Sequence, residues 1–138
     1  MESFWTKLSV RIATTGSLMA TELVEQIGVP PSRSVDAGQL LSSRSTAVHK
    51  QTFCIYDSPQ SGSTRPDEQI AWALEFLKET SRQLASLGPS LEIDIRLTVS
   101  LAAGQCPFAL SPEDLSFLGA LGVQLNIDLY GPDDESDD

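Results

Sequence analysis

Between Leu91 and Leu101 every second residue is apolar, and that one stretch excludes most folds. Leu91, Ile93, Ile95, Leu97, Val99 and Leu101 alternate without a break with Glu92, Asp94, Arg96, Thr98 and Ser100. Successive side chains of a strand point to opposite sides, so a period of two predicts a strand with one buried and one polar face. A sheet covered by helices on both sides would need strands that are apolar throughout. The same alternation recurs near each end of the chain. Phe4, Thr6, Leu8, Val10 and Ile12 oppose Trp5, Lys7, Ser9 and Arg11, and Val123, Leu125, Ile127 and Leu129 repeat the pattern. Val48 to Tyr56 is rich in β-branched and aromatic residues and reads as a fourth strand.

Helical segments fall between these strands. Ser17 is placed to cap a helix carrying Leu23, Val24 and Ile27, with Gly28 as its stop and Pro30-Pro31 beyond. Pro66, Asp67 and Glu68 open the longest helix; proline suits the first helical position and acids suit the positive end of the helix dipole. Ile70, Ala73, Leu74, Leu77, Leu84 and Leu87 recur at helical spacing until Gly88-Pro89. Ser111-Pro112-Glu113-Asp114 opens a third helix through Leu115, Leu118 and Leu121, ended by Gly122. Residues 30–47 and 57–65 lack an apolar period and read as polar surface loops, as does Gly104 to Leu110. The sequence therefore predicts one α+β domain over residues 1–130. It has a four-stranded sheet, element order β-α-β-α-β-α-β, and three helices packed on one face. The tail, residues 131–138, holds five acids and nothing apolar, and is expected to be disordered.

The charge is unevenly placed. Residues 1–65 carry six Lys/Arg against five Asp/Glu, whereas residues 66–138 carry three against fourteen. A net charge of −10 would repel a phosphate backbone, so nucleic acid is not an expected partner; a basic protein is. No stretch approaches the roughly 18 apolar residues that a membrane span needs. The first residues lack the basic and apolar regions of a secretory leader, and Cys54 and Cys106 show no CxxC spacing. A cytoplasmic protein with free thiols is the expectation.

Catalytic chemistry finds little support. His49 is the single histidine, and no Gly-x-Ser-x-Gly elbow or catalytic cysteine setting accompanies it. One His and two distant Cys do not supply a zinc site. Gly62-Ser63-Thr64-Arg65-Pro66 precedes a helix without the phosphate-binding Gly-Lys-Ser/Thr pattern, and reads as a linker. The pairs Glu22 with Glu25 and Asp67 with Glu68 sit where helix starts favour acids. No catalytic residue, metal or cofactor is expected.

Several words, taken in order, resemble the bacterial domain of unknown function family numbered 4279. They are Ile27-Gly28-Val29, then Pro31-Ser32-Arg33-Ser34 and Gly38, and finally Leu125-Asn126-Ile127-Asp128-Leu129-Tyr130. The likeness spans about residues 6–130. Phe53 and Ile55 stand where that family has a tryptophan in its second strand. The resemblance implies the fold and no settled activity. Small acidic domains of this kind look like immunity proteins.

The polar sheet face carries the functional expectation. Trp5, Arg11, Glu92, Asp94, Arg96, Asn126, Asp128 and Tyr130 should share it, and Trp, Tyr and Arg are the residues most often found in binding hot spots. The expected function is an immunity-type protein that neutralises a basic toxin, such as a nuclease, by protein–protein binding. A small-ligand or regulatory module is the alternative, with an enzyme third.

Overall fold

Residues 4–101 and 108–131 are described by the computed structural model. Eight elements follow one another: β1 (Phe4–Thr14), α1 (Ala20–Ile27), β2 (Arg33–Val35), β3 (Thr52–Asp57), α2 (Pro66–Ser86), β4 (Leu91–Leu101), α3 (Pro112–Leu121) and β5 (Val123–Tyr130). The strands form one mixed sheet in the order β2-β3-β1-β4-β5. β1 lies at the centre, antiparallel to both β3 and β4, while β4 and β5 run parallel. Parallel neighbours require a crossover, and α3 provides it.

The register puts the alternating apolar residues on one side. Leu8 faces Leu97, Val10 lies between Tyr56 and Ile95, and Ile12 lies between Cys54 and Ile93. Against them pack Leu23 and Ile27 of α1, Ile70, Leu74, Leu77 and Leu84 of α2, and Leu118 of α3, forming one buried cluster. All three helices thus cover the same face, as the alternation requires.

The sheet has five strands where the sequence pattern predicts four. Arg33–Val35 lies in the stretch read as loop and pairs antiparallel with β3. Three residues are too few to show a period; the pairing is set by β3, helped by the Ser32 amide donating to the Ile55 carbonyl (2.8 Å). β3 itself starts at Thr52, four residues later than the composition suggests. The first helix begins at Ala20 with Met19 as its N-cap residue, so Ser17 does not cap it. Two carboxylates meet its first amides instead. Glu22 Oε1 accepts from the Met19 amide (2.9 Å), and Asp36 Oδ1, from the loop after β2, accepts from the Ala20 amide (2.6 Å). Ser111 does cap α3, its Oγ accepting from the Asp114 amide at 3.1 Å. Along β5 the apolar side is covered only at its start. Val123 and Leu125 pack on the core, while Ile127 is exposed and Leu129 is 67% exposed, because α3 reaches no further. The acidic residues after Gly131, Cys106 and most of the Gly104–Leu110 stretch lie outside the described residues.

Cys54 sits fully buried on β3. Burial pushes its thiol up to about 11, from about 8.5 in an unfolded chain. The neighbouring Tyr56 phenol is also raised, by burial first and by Cys54 second, and its hydroxyl donates to the Val29 carbonyl (2.7 Å). Between the unfolded and native values the unfolded chain binds fewer protons. The Cys54 contribution is therefore intact below pH about 8.5 and is lost as pH rises toward the native value. Cys54→Ala should flatten the alkaline fall in stability, read as urea midpoints across that pH range; an unchanged slope would contradict it.

Candidate functional site

The face of the sheet opposite the helices is where charged side chains of all five strands meet. Strand pairing assembles it in rows. Arg33, Ile55, Arg11, Asp94 and Gln124 form one row across all five strands. Asp57, Ser9, Arg96 and Asn126 form the next, and Lys7, Thr98 and Asp128 the one after. Trp5, Ser100 and Tyr130 close the face at one end.

Trp5, Arg11, Glu92, Asp94, Arg96, Asn126, Asp128 and Tyr130 all lie on this one face, as the alternation predicts. They are not equivalent on it. Arg11, Asp94 and Arg96 line a concavity of about 380 Å³ at the middle of the face. Glu92 lies toward one end, and Trp5, Tyr130 and Asp128 lie toward the other. Asn126 accepts from Gln124 Nε2 (3.0 Å) on the outer strand. Trp5 is 45% exposed and Tyr130 52%, large areas of aromatic ring to leave in water. Trp5 lies against Gly62, where the chain after β3 comes back to pair with Thr6. Gly62 has φ +81°, a backbone conformation that favours glycine, and this turn brings the chain under the indole.

Arg11 is held on every side. Its Nη1 donates to Asp94 Oδ2 (3.4 Å), its Nη2 donates to Gln51 Oε1 (3.2 Å), and its guanidinium stacks 4.5 Å from the Phe53 ring centroid. Gln51 in turn donates to Glu92 Oε1 (3.1 Å), and His49 packs edge-on against Phe53. Glu92 and Asp94 are thus both engaged in the support of Arg11. A guanidinium fixed by a carboxylate, an amide and an aromatic ring loses little freedom when it meets a ligand.

Two further lining cations, Lys7 and Arg33, join the expected Arg11 and Arg96. Among the described residues only Arg11, Arg65 and Lys78 form ion pairs, which leaves Lys7, Arg33 and Arg96 without one. The concavity therefore has four cations against two carboxylates, Asp57 and Asp94, with the Ser9 and Thr98 hydroxyls between them. Lys7 was legible from its alternation. Arg33 was not, because its strand was unrecognised. Among the described residues no three His, Cys, Asp or Glu side chains converge to hold a metal ion, and no helix is long and apolar enough to cross a membrane.

A mixed sheet covered by helices on one side and bearing a charged, aromatic-rimmed surface on the other defines a two-layer α+β domain with an open face. The chain belongs to the family described as Domain of unknown function (DUF4279), whose family model matches residues 6–132. No curated protein and no solved structure matches it.

Proposed function

We propose that this domain acts by binding, not by catalysis, and that it docks a protein partner on the open face of its sheet. The observation that carries the reading is the pair of exposed rings, Trp5 and Tyr130, on one row of a face whose centre is concave and charged. Aromatic anchors beside arginines are the residue types that dominate binding energy at protein interfaces. Immunity-type neutralisation of an effector, such as a toxic nuclease, is the role this surface fits best. Such a partner meets both signs of charge here. Asp128, exposed beside Tyr130, together with the net charge of −10, attracts basic groups and accelerates encounter. The centre of the face receives groups of the opposite sign.

Capture from native lysate identifies the partner, and titration calorimetry then tests the face. Trp5→Ala and Tyr130→Ala should each weaken the complex more than tenfold while leaving the melting temperature within about 2 °C, since exposed substitutions seldom shift stability by more than about 0.5 kcal/mol. Wild-type affinity in both folded variants would reject the open face as the docking surface.

A further inference from the structure

We propose that the concavity on the open face is a carboxylate-binding site, and that its occupant is an acidic side chain of the protein partner, seated between Arg33, Arg96 and Lys7. This deepens the docking reading and rests on it, by naming the group that the face receives.

The argument begins with charge. The chain has nine Lys/Arg and nineteen Asp/Glu, yet four of the nine cations gather in this one depression. Arg11, Arg96 and Lys7 follow one another on diagonal positions of β1 and β4, since Arg11 faces Asp94, Ser9 faces Arg96, and Lys7 faces Thr98. Diagonal neighbours in an antiparallel pair lie about 7–8 Å apart, close enough for long side chains to interact. Like charges so placed repel, and of these three only Arg11 forms an ion pair among the described residues, with Asp94. Among the described residues no carboxylate forms an ion pair with the other three cations of the depression. An anion bound among them removes the repulsion.

The shape and donors favour a carboxylate over a larger or more highly charged group. The surplus is two positive charges, and Asp57 at the edge of the depression opposes a dianion such as phosphate. Ile55, buried on the open face between Arg33 and Arg11 in the same row, gives the depression an apolar floor. A methylene stem lies well on such a floor while its carboxylate meets the planar guanidinium forks, which match carboxylate geometry with paired hydrogen bonds. Arg11 supplies the rigid wall. Arg33 and Arg96, both exposed, supply the guanidinium forks that meet the ligand from the solvent side.

The test uses the full chain and three probes: a penta-glutamate peptide, a penta-lysine peptide and inorganic phosphate. Amide shifts in NMR spectra and calorimetric titration at low salt report binding. Penta-glutamate should shift the amides of Ser9, Arg96 and Thr98, and Arg33→Gln or Arg96→Gln should weaken it at least tenfold. Arg82→Gln, on the exposed side of α2, should leave affinity unchanged. Both glutamines replace exposed arginines, so the variants retain the fold. The proposal is overturned by penta-lysine binding at these amides instead, by phosphate binding as tightly as the peptide, or by equal losses in the Arg82 variant. A partner that depends on Trp5 and Tyr130, with no penta-glutamate binding, would keep the docking face and reject the carboxylate site alone.

Discussion

Replacing Ile95 with alanine should lower the unfolding free energy by about 2–5 kcal/mol, the range for large-to-small changes in a well-packed core. Ile95 is fully buried at the middle of β4, with Val10 of β1 on one side and Leu125 of β5 on the other. The truncated side chain leaves a void beneath α2 that two flanking strands cannot close without breaking register. Domains of this size are stable by only about 5–15 kcal/mol, so the loss is a large share of the total. Urea unfolding followed by tryptophan fluorescence measures it, with a lower midpoint at an unchanged slope. A loss below about 0.5 kcal/mol, the usual range for surface changes, would mean that β4 is not the centre of the core.

Gln69→Leu is the second substitution with a large expected cost. Gln69 is a fully buried polar residue on α2, and its Nε2 donates both to Thr6 Oγ1 (3.1 Å) and to the Gln60 carbonyl (2.9 Å). Thr6 Oγ1 itself donates to the Thr64 carbonyl. One amide therefore joins the central strand, the long helix and the chain that returns beneath Trp5. Leucine fills the space but gives up both bonds of Nε2, each worth about 0.5–1.5 kcal/mol. Hydrogen exchange distinguishes this from a general loss. The Gly62 amide, which donates to the Thr6 carbonyl (3.1 Å), should exchange faster by a larger factor than the Ile95 amide. Equal acceleration at both would show that Gln69 supports the whole fold and not this segment.

Much of the architecture was legible because burial writes a period into the chain. β1, β4 and the body of α2 stand out since each has one face in the core and one in water. What escaped depends on contacts distant in sequence. The start of α1 is fixed partly by Asp36, sixteen residues beyond the amide it accepts from, so the local choice of Ser17 missed it. β2 exists because β3 offers an open edge, and nothing in Arg33-Ser34-Val35 alone distinguishes it from loop. The exposure of Ile127 and Leu129 was hidden for a related reason: alternation tells which side a residue faces, not whether a helix extends far enough to cover it.

The site divides along the same line. Alternation alone grouped Trp5, Arg11, Asp94, Arg96 and Tyr130 on one face. Strand order is not written in alternation, and only the order β2-β3-β1-β4-β5 brings Arg33 into a row with Arg11 and sets Arg96 beside Lys7. Net charge was misleading at short range. A chain of −10 holds its densest group of cations at the middle of its open face.

The central position of β1 has a consequence for how the molecule is made. It precedes in the chain every strand that it pairs with. During synthesis the edge that meets β3 can pair once Asp57 has emerged, but its other edge, from Phe4 to Thr14, stays open until β4 has emerged as far as Leu101. At the usual pace of elongation that interval is on the order of ten seconds. The ladder between β1 and β4 then closes over a long intervening chain, a slow kind of pairing because the loop entropy must be lost before the contacts form. Until then, the strand that organises the finished sheet is the one a newborn chain exposes longest to chaperones and to wrong partners.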